Sequence, residues 1–547
     1  MAWADPARPQ SHLRWRVKDM QIDVISDIQT LSSLRDDWDA VYEADPEAQF
    51  FLSSVWLFKH LERLDSPWFV LAAKPTNDAI SYVGFFPLRL RLKTRENGEF
   101  YNEITMAGAP GADYTGFICV PGIVHDVAAA FATHIKTLNW ADLNLTHVLA
   151  SSERLNSLLR HFPRGSFRIG ITSLVNTDGI DNSVCPRVEL PKDWEVYLNN
   201  GLRPNLRQKI RRFLRHVETS HEFRITNTTA ETIEHDIGTL LRLWEAQWGS
   251  RKGERLASIR KVARVMLMDC FDSGLLFLPV LWKDGVPIGA LASLIDMKNK
   301  SLLFYMGGRM EGLNNPPPGL VLHAYSIRTA IAAGFATYDF LRGNEAYKYS
   351  FGADERHIRC IVVRTESGRN LGNRLDRRSL PLLLRQAIAL HRAGRLDEAE
   401  RVYRRASDLQ PDCTMALYHL GQLMAVKGNH RAAEQLFKAV VVAEPAACKA
   451  WSMLARSLLA QAKLNEAAAA YQEIIRRQPT FPHAYYNLGV TQLKLGQHRD
   501  AVASFEAALD LQPDGTNART AYAKAVAVAR SAVLSTRIYE HNALERF

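Results

Sequence analysis

Two mixed α/β halves followed by an all-α solenoid is the fold this 547-residue chain predicts. Three observations predict it. The last third repeats at a fixed step, marked by the evenly spaced Pro411, Pro445, Pro479 and Pro513. Residues 275–306 read as short apolar strands around an Asp284-Gly285 turn. From residue 20 to about residue 370, helix-like and strand-like segments alternate with no such period.

Length and composition frame the rest. At about 150 residues per domain, the chain holds three to four domains. Hydrophobic residues make up 47% and charged residues 23%, which excludes a mainly disordered chain, a collagen-like fibre and a small disulfide scaffold. Lys and Arg outnumber Asp and Glu by 68 to 58, a net +10 that hints at an acidic partner such as phosphate or a nucleotide. The six cysteines form no CxxC pair and have no zinc spacing with histidine, so reduced buried thiols and no metal site are expected. Residues 1–20 lack an apolar core segment, and no run approaches the ~18 apolar residues of a membrane span. A cytoplasmic protein is expected.

The spacing of the four prolines recurs in other residues. Gly394, Gly428, Ala462 and Gly496 keep it, then Ala399, Ala433, Ala467 and Ala501, and also Tyr403, Phe437, Tyr471 and Phe505. Small residues let two helices of a hairpin approach closely, and the aromatic fills the space beneath the next hairpin. Proline stops the second helix because it lacks the N–H donor. The pattern resembles the tetratricopeptide repeat. It implies four repeats at 380–413, 414–447, 448–481 and 482–515, then a capping helix and tail over 516–547. Stacked repeats leave a concave groove, so the resemblance implies a protein partner bound there. A spacer or an oligomerisation element is the alternative.

Ahead of the repeats, residues 31–42 and 53–64 predict helices, 68–74 and 81–90 strands around the turn Thr76-Asn77-Asp78, and 104–106 a strand. A helix at 127–138, a strand at 143–149 and a helix at 153–162 follow. The second series has helices at 231–250 and 259–271 and strands at 275–282, 287–295 and 302–306. It continues with a helix at 320–333 ended by Gly334, a strand at 337–341, a polar segment at 342–354 and a last strand at 357–365. Asp-Gly between apolar runs signals a two-residue hairpin, and glycine after the last periodic residue closes a helix. This order resembles the GNAT acetyltransferase fold, and the first series is a looser echo of it.

Two such halves in tandem resemble the Fem peptidyltransferases and the CelD-like acetyltransferases, the latter associated with bacterial cellulose and exopolysaccharide biosynthesis. The segments that carry this are 50–56 (FFLSSVW), 84–88 (GFFPL), Asp113-Tyr114-Thr115-Gly116, the Arg-rich 202–215, Pro318-Gly319-Leu320 and 338–349 (YDFLRGNEAYKY). The organisation expected is a disordered tail at 1–20, a first half at 21–185, a second half with the acyl-CoA site at 186–368 and a linker at 369–379.

Acyl transfer from a thioester needs a pyrophosphate site, a donor that polarises the acyl carbonyl, and a proton acceptor for the amine. A helix N-terminus offers free N–H groups and a positive dipole end. Gly319 and Leu320, at the mouth of the 320–333 helix, are the candidates for pyrophosphate, with a proline-stopped loop before a core helix as the alternative. Residues 314–319 replace the Gly-rich Q/R-x-x-G-x-G/A loop of the general GNAT pattern. In the resembled fold the third strand splays from its neighbour, and an exposed amide faces the carbonyl, a donor worth ~3 kcal/mol of barrier. Met306, Gly307 and Gly308 are the candidates, with an ordinary bulge as the structural alternative.

Glu345 or Asp339 is the candidate base, and Tyr347 the proton donor to the leaving thiolate. Arg342 and Lys348 are candidate ligands of a substrate carboxylate or phosphate. The alternative is a salt-bridge knot that fixes the loop. Asp113 and Tyr114 either line the cleft between the halves or make a tight turn. Arg207, Arg211 and Arg215 share one helix face at i, i+4, i+8. That face suits an anionic acceptor, an RNA backbone or plain solvent. Trp248, four positions after Trp244, is a ligand platform or part of the core. No phosphate-binding GxxxxGK[ST], GxGxxG, HExxH or GxSxG motif occurs.

The function this implies is an acyl-CoA-dependent acyltransferase, with acetyl-CoA or another acyl-CoA as co-substrate and no metal. Its acceptor would be a polar saccharide or amino sugar, attacking directly in a ternary complex. Two alternatives stand beside it: a Fem-like enzyme using aminoacyl-tRNA, with RNA as partner, and a non-catalytic adaptor with a degenerate transferase domain.

Overall fold

The computed structural model describes residues 20–75, 81–313, 315–367 and 375–527. The expected tail before residue 20, the turn Thr76-Asn77-Asp78, Asn314, linker residues 369–374 and the tail beyond residue 527 lie outside the described residues. The chain divides into two compact units, Met1–Leu375 and Asp376–Phe547.

The first unit carries two eight-stranded sheets. Its strands are β1 (Met20–Ile25), β2 (Trp68–Pro75), β3 (Gly84–Thr94), β4 (Phe100–Met106), β5 (Ile118–Cys119), β6 (Asp142–Val148), β7 (Phe167–Ile171) and β8 (Val184–Glu189). Then come β9 (Phe223–Asn227), β10 (Leu276–Phe277), β11 (Pro279–Lys283), β12 (Val286–Asp296), β13 (Ser301–Arg309), β14 (Thr337–Asp339), β15 (Asp354–His357) and β16 (Arg359–Thr365). The first sheet runs β1-β2-β3-β4-β6-β16-β7, with β5 beside β3. The second runs β15-β8-β14-β13-β12-β11-β9, with β10 beside β12.

Two neighbouring pairs are parallel, β4 with β6 and β13 with β14. Parallel neighbours need a crossover, and the helices Val124–Lys136 and Pro318–Ala332 supply it. The expected hairpin at Asp284-Gly285 joins β11 to β12. Both residues have positive φ, 48° and 79°, which matches the twist of the strands they join.

One strand departs from the sequence expectation. Residues 357–365 read as the end of the second half, yet β16 lies in the first sheet between β6 and β7. Ile361 and Val363 there join Leu143, Leu145 and Phe167 in the core beneath the Val124–Lys136 helix. In return β8, which precedes the second-half helices, lies between β14 and β15 of the second sheet. The two sheets are also joined through a common core. Trp56 and Leu57, on the helix Ser54–Glu62, pack in one cluster with Met266, Leu267 and Cys270 on the helix Leu256–Asp272. Lys59 donates to the Ser273 hydroxyl at 3.1 Å, and Arg63 pairs with Asp269.

The second unit is a run of helix pairs that keeps the step of the sequence repeat at every boundary. The pairs are Leu380–Arg392 with Leu396–Leu409, Thr414–Val426 with His430–Ala443, Cys448–Ala460 with Leu464–Arg477, and Pro482–Lys494 with His498–Leu511. The turn inside each pair needs a left-handed residue. Gly394, Gly428 and Gly496 supply it in three, and Ala462 adopts φ 58° in the third. Tyr403, Phe437, Tyr471 and Phe505 are all buried. A Cβ on Gly421 would stand 2.8 Å from the Phe437 ring, so the small residue sets how closely the two helices approach. Residues 516–527 continue as helix, within the span expected for the cap.

Candidate functional site

β13 and β14 pair at Ser301–Thr337, Leu302–Tyr338 and Leu303–Asp339, and then part. β13 continues to Arg309 against β12. Between the diverging strands opens a cleft of about 520 Å³. Ala292 pairs with Met306 and Ser293 with Phe304, so Tyr305 is the extra residue of a bulge. A bulge takes its residue out of the ladder, and this one adjoins Met306, Gly307 and Gly308, all of which line the cleft. The two glycines differ in what they permit. A Cβ on Gly308 would lie 2.4 Å from the Trp244 amide nitrogen, so its absence lets the helix Ile233–Lys252 lie directly on β13. On Gly307 it would meet the Phe304 ring at 3.2 Å.

At one end of the cleft stands the N-terminus of the helix Pro318–Ala332. Pro318 occupies the first turn, where its missing N–H costs nothing. Gly319 and Leu320 line the mouth. The Arg309 guanidinium lies 3.1 Å from where a Cβ of Gly319 would be, so a cation sits beside free helix amides.

At the other end the loop after β14 sorts the charges of residues 338–349. Asp339 is buried and does not line the cleft. It accepts from the Tyr114 hydroxyl at 2.9 and 2.8 Å and from the Leu341 amide at 2.7 Å. Burial raises its pKa, against the pull of those two donors. Leu341 is held at φ 56°, a strained value for a side chain that branches at Cγ. Lys348 is also buried, and its ammonium donates to the carbonyls of Phe340, Arg342 and Gly343 at 3.1, 2.8 and 2.9 Å. Its three donors are thereby used. Glu345 Oε2 lies 2.9 Å from the same nitrogen as an ion pair, but is not aligned for a hydrogen bond. Lys348 therefore fixes the loop rather than offering a free cation to substrate.

Arg342 does line the cleft. It bonds Asp113 Oδ1 at 2.5 Å and His147 Nε2 at 2.8 Å. His147 Nδ1 lies 3.3 Å from the Ala112 carbonyl, so Nδ1 carries the proton and Nε2 accepts from Arg342. Burial and the Arg342 cation lower the His147 pKa to about 4. Glu345 and Tyr347 both face the cleft, and Tyr347 is 44% exposed as a residue. Burial of its hydroxyl end and the Glu345 carboxylate raise the Tyr347 pKa, which keeps the phenol protonated.

A family model described as an acetyltransferase (GNAT) domain matches residues 204–349, and one described as a tetratricopeptide repeat matches 384–447, 452–516 and 491–535. The chain joins a GNAT-type acetyltransferase domain to C-terminal tetratricopeptide repeats. Among curated proteins it is 32% identical over 116 residues to the CTR9 homolog of Arabidopsis thaliana, covering 20% of this chain and 11% of that protein. It is 31% identical over 117 residues to tetratricopeptide repeat protein 7A of Homo sapiens, covering 21% of this chain and 14% of that protein. The chain thus spans little more than a tenth of either relative. Among solved structures, MamA shares 23% identity at a TM-score of 0.25, covering 25% of this chain and 81% of that one. The first repeat domain of Spaghetti, bound to an HSP90 peptide, shares 21% identity at a TM-score of 0.22, covering 22% and 96%.

The GNAT domain brings together most of the residues expected at its site and leaves others apart. Trp248 lines the cleft with Trp244 and Gln247. Tyr114 is buried behind it, against Asp339. Arg207 and Arg211 lie on the helix Pro204–Thr219, outside the cleft lining. Arg207 donates to Asn199 at 3.1 Å, and Arg211 pairs with Glu195. Three cleft or cleft-edge residues escape the sequence reading: Arg309, His147 and His323. Each is a single residue in an otherwise ordinary strand or helix, and only the helix start at Pro318-Gly319 flags the neighbourhood of Arg309.

Between the parallel strands of the first sheet, a pocket lined by Met106, Leu145 and Val148 measures only about 10 Å³. There Thr115 bridges to Val148, with its amide donating to the His147 carbonyl at 2.9 Å and the Leu149 amide donating to the Thr115 carbonyl at 3.1 Å. The chain itself occupies the gap, and the same loop carries Asp113 to the cleft and Tyr114 to the buried Asp339 behind it.

Proposed function

We propose that the GNAT domain is an acyl-CoA-dependent N-acyltransferase with its donor site between β13 and β14. The observation that carries this reading is the parting of these strands around a cleft that has a helix N-terminus and a cation at one end and a polar cluster at the other. Gly319 and Leu320 would receive the pyrophosphate, with Arg309 as its counter-charge. The backbone at Met306 and Gly307, beside the Tyr305 bulge, polarises the acyl carbonyl. In this reading residues 186–368 hold the chemistry and residues 21–185 buttress it.

Transfer proceeds by direct attack. The acceptor amine bonds to the carbonyl carbon, and the C–S bond breaks with its electron pair on sulfur. Glu345 takes the amine proton because its carboxylate faces the cleft, whereas Asp339 is sealed behind it. Tyr347 protonates the thiolate. Asp113, Arg342 and Trp248 line the acceptor end. A charged pair with an aromatic face suits a polar saccharide or amino sugar, as found in bacterial polysaccharide or envelope biosynthesis in the cytoplasm. The repeats supply a groove for a protein partner.

The basic face of the helix Pro204–Thr219 favours a second reading, with aminoacyl-tRNA as donor. Thiol release from acetyl-CoA across a panel of amino sugars separates the two. Glu345→Gln is expected to lower kcat about 100-fold or more with KM for acetyl-CoA little changed. Turnover of aminoacyl-tRNA with none of acetyl-CoA would overturn the CoA reading.

A further inference from the structure

We propose that His323 is a neutral hydrogen-bond donor to the thioester sulfur, which steadies the thiolate as it leaves. The proposal rests on the acyl-CoA reading of the cleft.

His323 lies one turn beyond Gly319 on the same face of the helix Pro318–Ala332 and lines the cleft. It is 5% exposed. Its ring stands 4.6 Å from that of Phe304 and 5.2 Å from that of Phe340, centre to centre. Phe304 and Phe340 are the first residues past the paired stretch of β13 and β14, so His323 sits where the strands part.

Its tautomer follows from its partner. His323 Nδ1 lies 2.9 Å from the hydroxyl of Tyr338, which is fully buried. In the proposed arrangement the Tyr338 hydroxyl donates its proton to Nδ1. A neutral imidazole that accepts at Nδ1 carries its proton on Nε2. Burial, then the Lys348 and Arg309 cations, lower the ring's pKa to about 3, so it stays neutral at working pH. Among the described residues, the hydrogen bond to Tyr338 is the one that His323 makes. Nε2–H is thus a donor in an apolar floor that awaits an acceptor from the ligand.

The acceptor is placed by the carbonyl. With the carbonyl against Met306 and Gly307, the sulfur bonded to it falls near Phe304, against which His323 packs. The Tyr347 ring, 5.7 Å from that of His323, is on hand to protonate the same atom. His323 keeps its proton throughout: Glu345 takes the amine proton, Tyr347 supplies the thiolate proton, and His323 only donates a hydrogen bond to the developing charge.

The test compares CoA with desulfo-CoA by calorimetry on the full chain at pH 9, where more of the thiol is ionised than at neutral pH. Wild type is expected to bind CoA about tenfold or more tightly than desulfo-CoA. His323→Phe should bring the two affinities together, and His323→Gln, which keeps an N–H donor, should retain most of the difference. Equal binding of the two by wild type, or the same ratio in His323→Phe, overturns the proposal and leaves the acyl-CoA reading intact. Failure of wild type to bind either analogue overturns that reading, and the proposal with it.

Discussion

Tyr114→Phe removes one hydroxyl from the buried junction between the first-half loop and the strand that bounds the cleft. That hydroxyl lies 2.9 and 2.8 Å from the two oxygens of Asp339, whose other partner is the Leu341 amide at 2.7 Å on Oδ1. Asp339 is 2% exposed, so water cannot replace the lost donor. A hydrogen bond to a charged acceptor contributes about 1.5–3 kcal/mol, and a buried oxygen left unpaired moves the cost toward the upper end. A loss of about 2–3 kcal/mol is expected for the first unit. Denaturant unfolding followed by tryptophan fluorescence reads it, because ten of the eleven tryptophans precede residue 376. The double-mutant cycle with Asp339→Asn should return a coupling of about 1–3 kcal/mol. Asp339 also pins Leu341 ahead of Arg342 and Glu345, so kcat should fall while KM for acetyl-CoA holds. A change no larger than the roughly 0.5 kcal/mol of an ordinary surface substitution, with a negligible coupling, would refute the reasoning.

Other substitutions probe packing and charge. Gly308→Ala puts a Cβ 2.4 Å from the Trp244 amide nitrogen, and should cost about 3 kcal/mol or more in denaturant unfolding. Ala462→Gly relieves the left-handed residue of the third repeat turn, at φ 58°. It should stabilise the repeats by about 0.5–1 kcal/mol, read as a raised thermal midpoint by circular dichroism. Burial lowers the pKa of His60 and His147 to about 4 and that of His323 to about 3. Each is therefore neutral in the fold and takes up a proton more readily once unfolded, at an ordinary pKa near 6.5. Their contribution is present above about pH 6.5 and is lost as pH falls toward 4 and 3, so tryptophan-detected stability should decline over that window. Glu434 behaves differently. Burial opposes its charge, but hydrogen bonds from Lys438, Lys463 and Gln461 outweigh it and lower its pKa to about 2. Its contribution to the repeats is lost only as pH falls from about 4.5 through 2, and Glu434→Gln should make helix unfolding by circular dichroism less steep in that range.

The repeats were legible because each restates the same local rule, with Pro411 and its three equivalents closing one helix pair after another at a constant spacing. The Asp284-Gly285 hairpin was legible for the same reason, since two adjacent residues determine the turn. Sheet membership was not, because β16 alternates as any half-buried strand does, and nothing local says that its partners are β6 and β7. At the site, the run 338–349 announces a concentration of charge without saying which charges face inward. Asp339 is sealed behind the cleft and Lys348 spends its donors on loop carbonyls, while Glu345 and Arg342 line the cleft as charged groups. The fates of Asp339 and Arg342 depend on Tyr114 and Asp113, far upstream in the first half. His323 was invisible because one histidine on an apolar helix face reads as core, and its role depends on where Phe304 and Phe340 diverge.

Binding of acyl-CoA at the helix mouth is the claim on which the rest depends. Calorimetric titration of acetyl-CoA into the full chain, repeated with Gly319→Glu, measures it. One site per chain is expected, since the first sheet's gap is filled at Thr115, and that site should be lost when a carboxylate is placed beside Arg309. No binding by wild type, or unchanged binding by Gly319→Glu, would contradict the assignment.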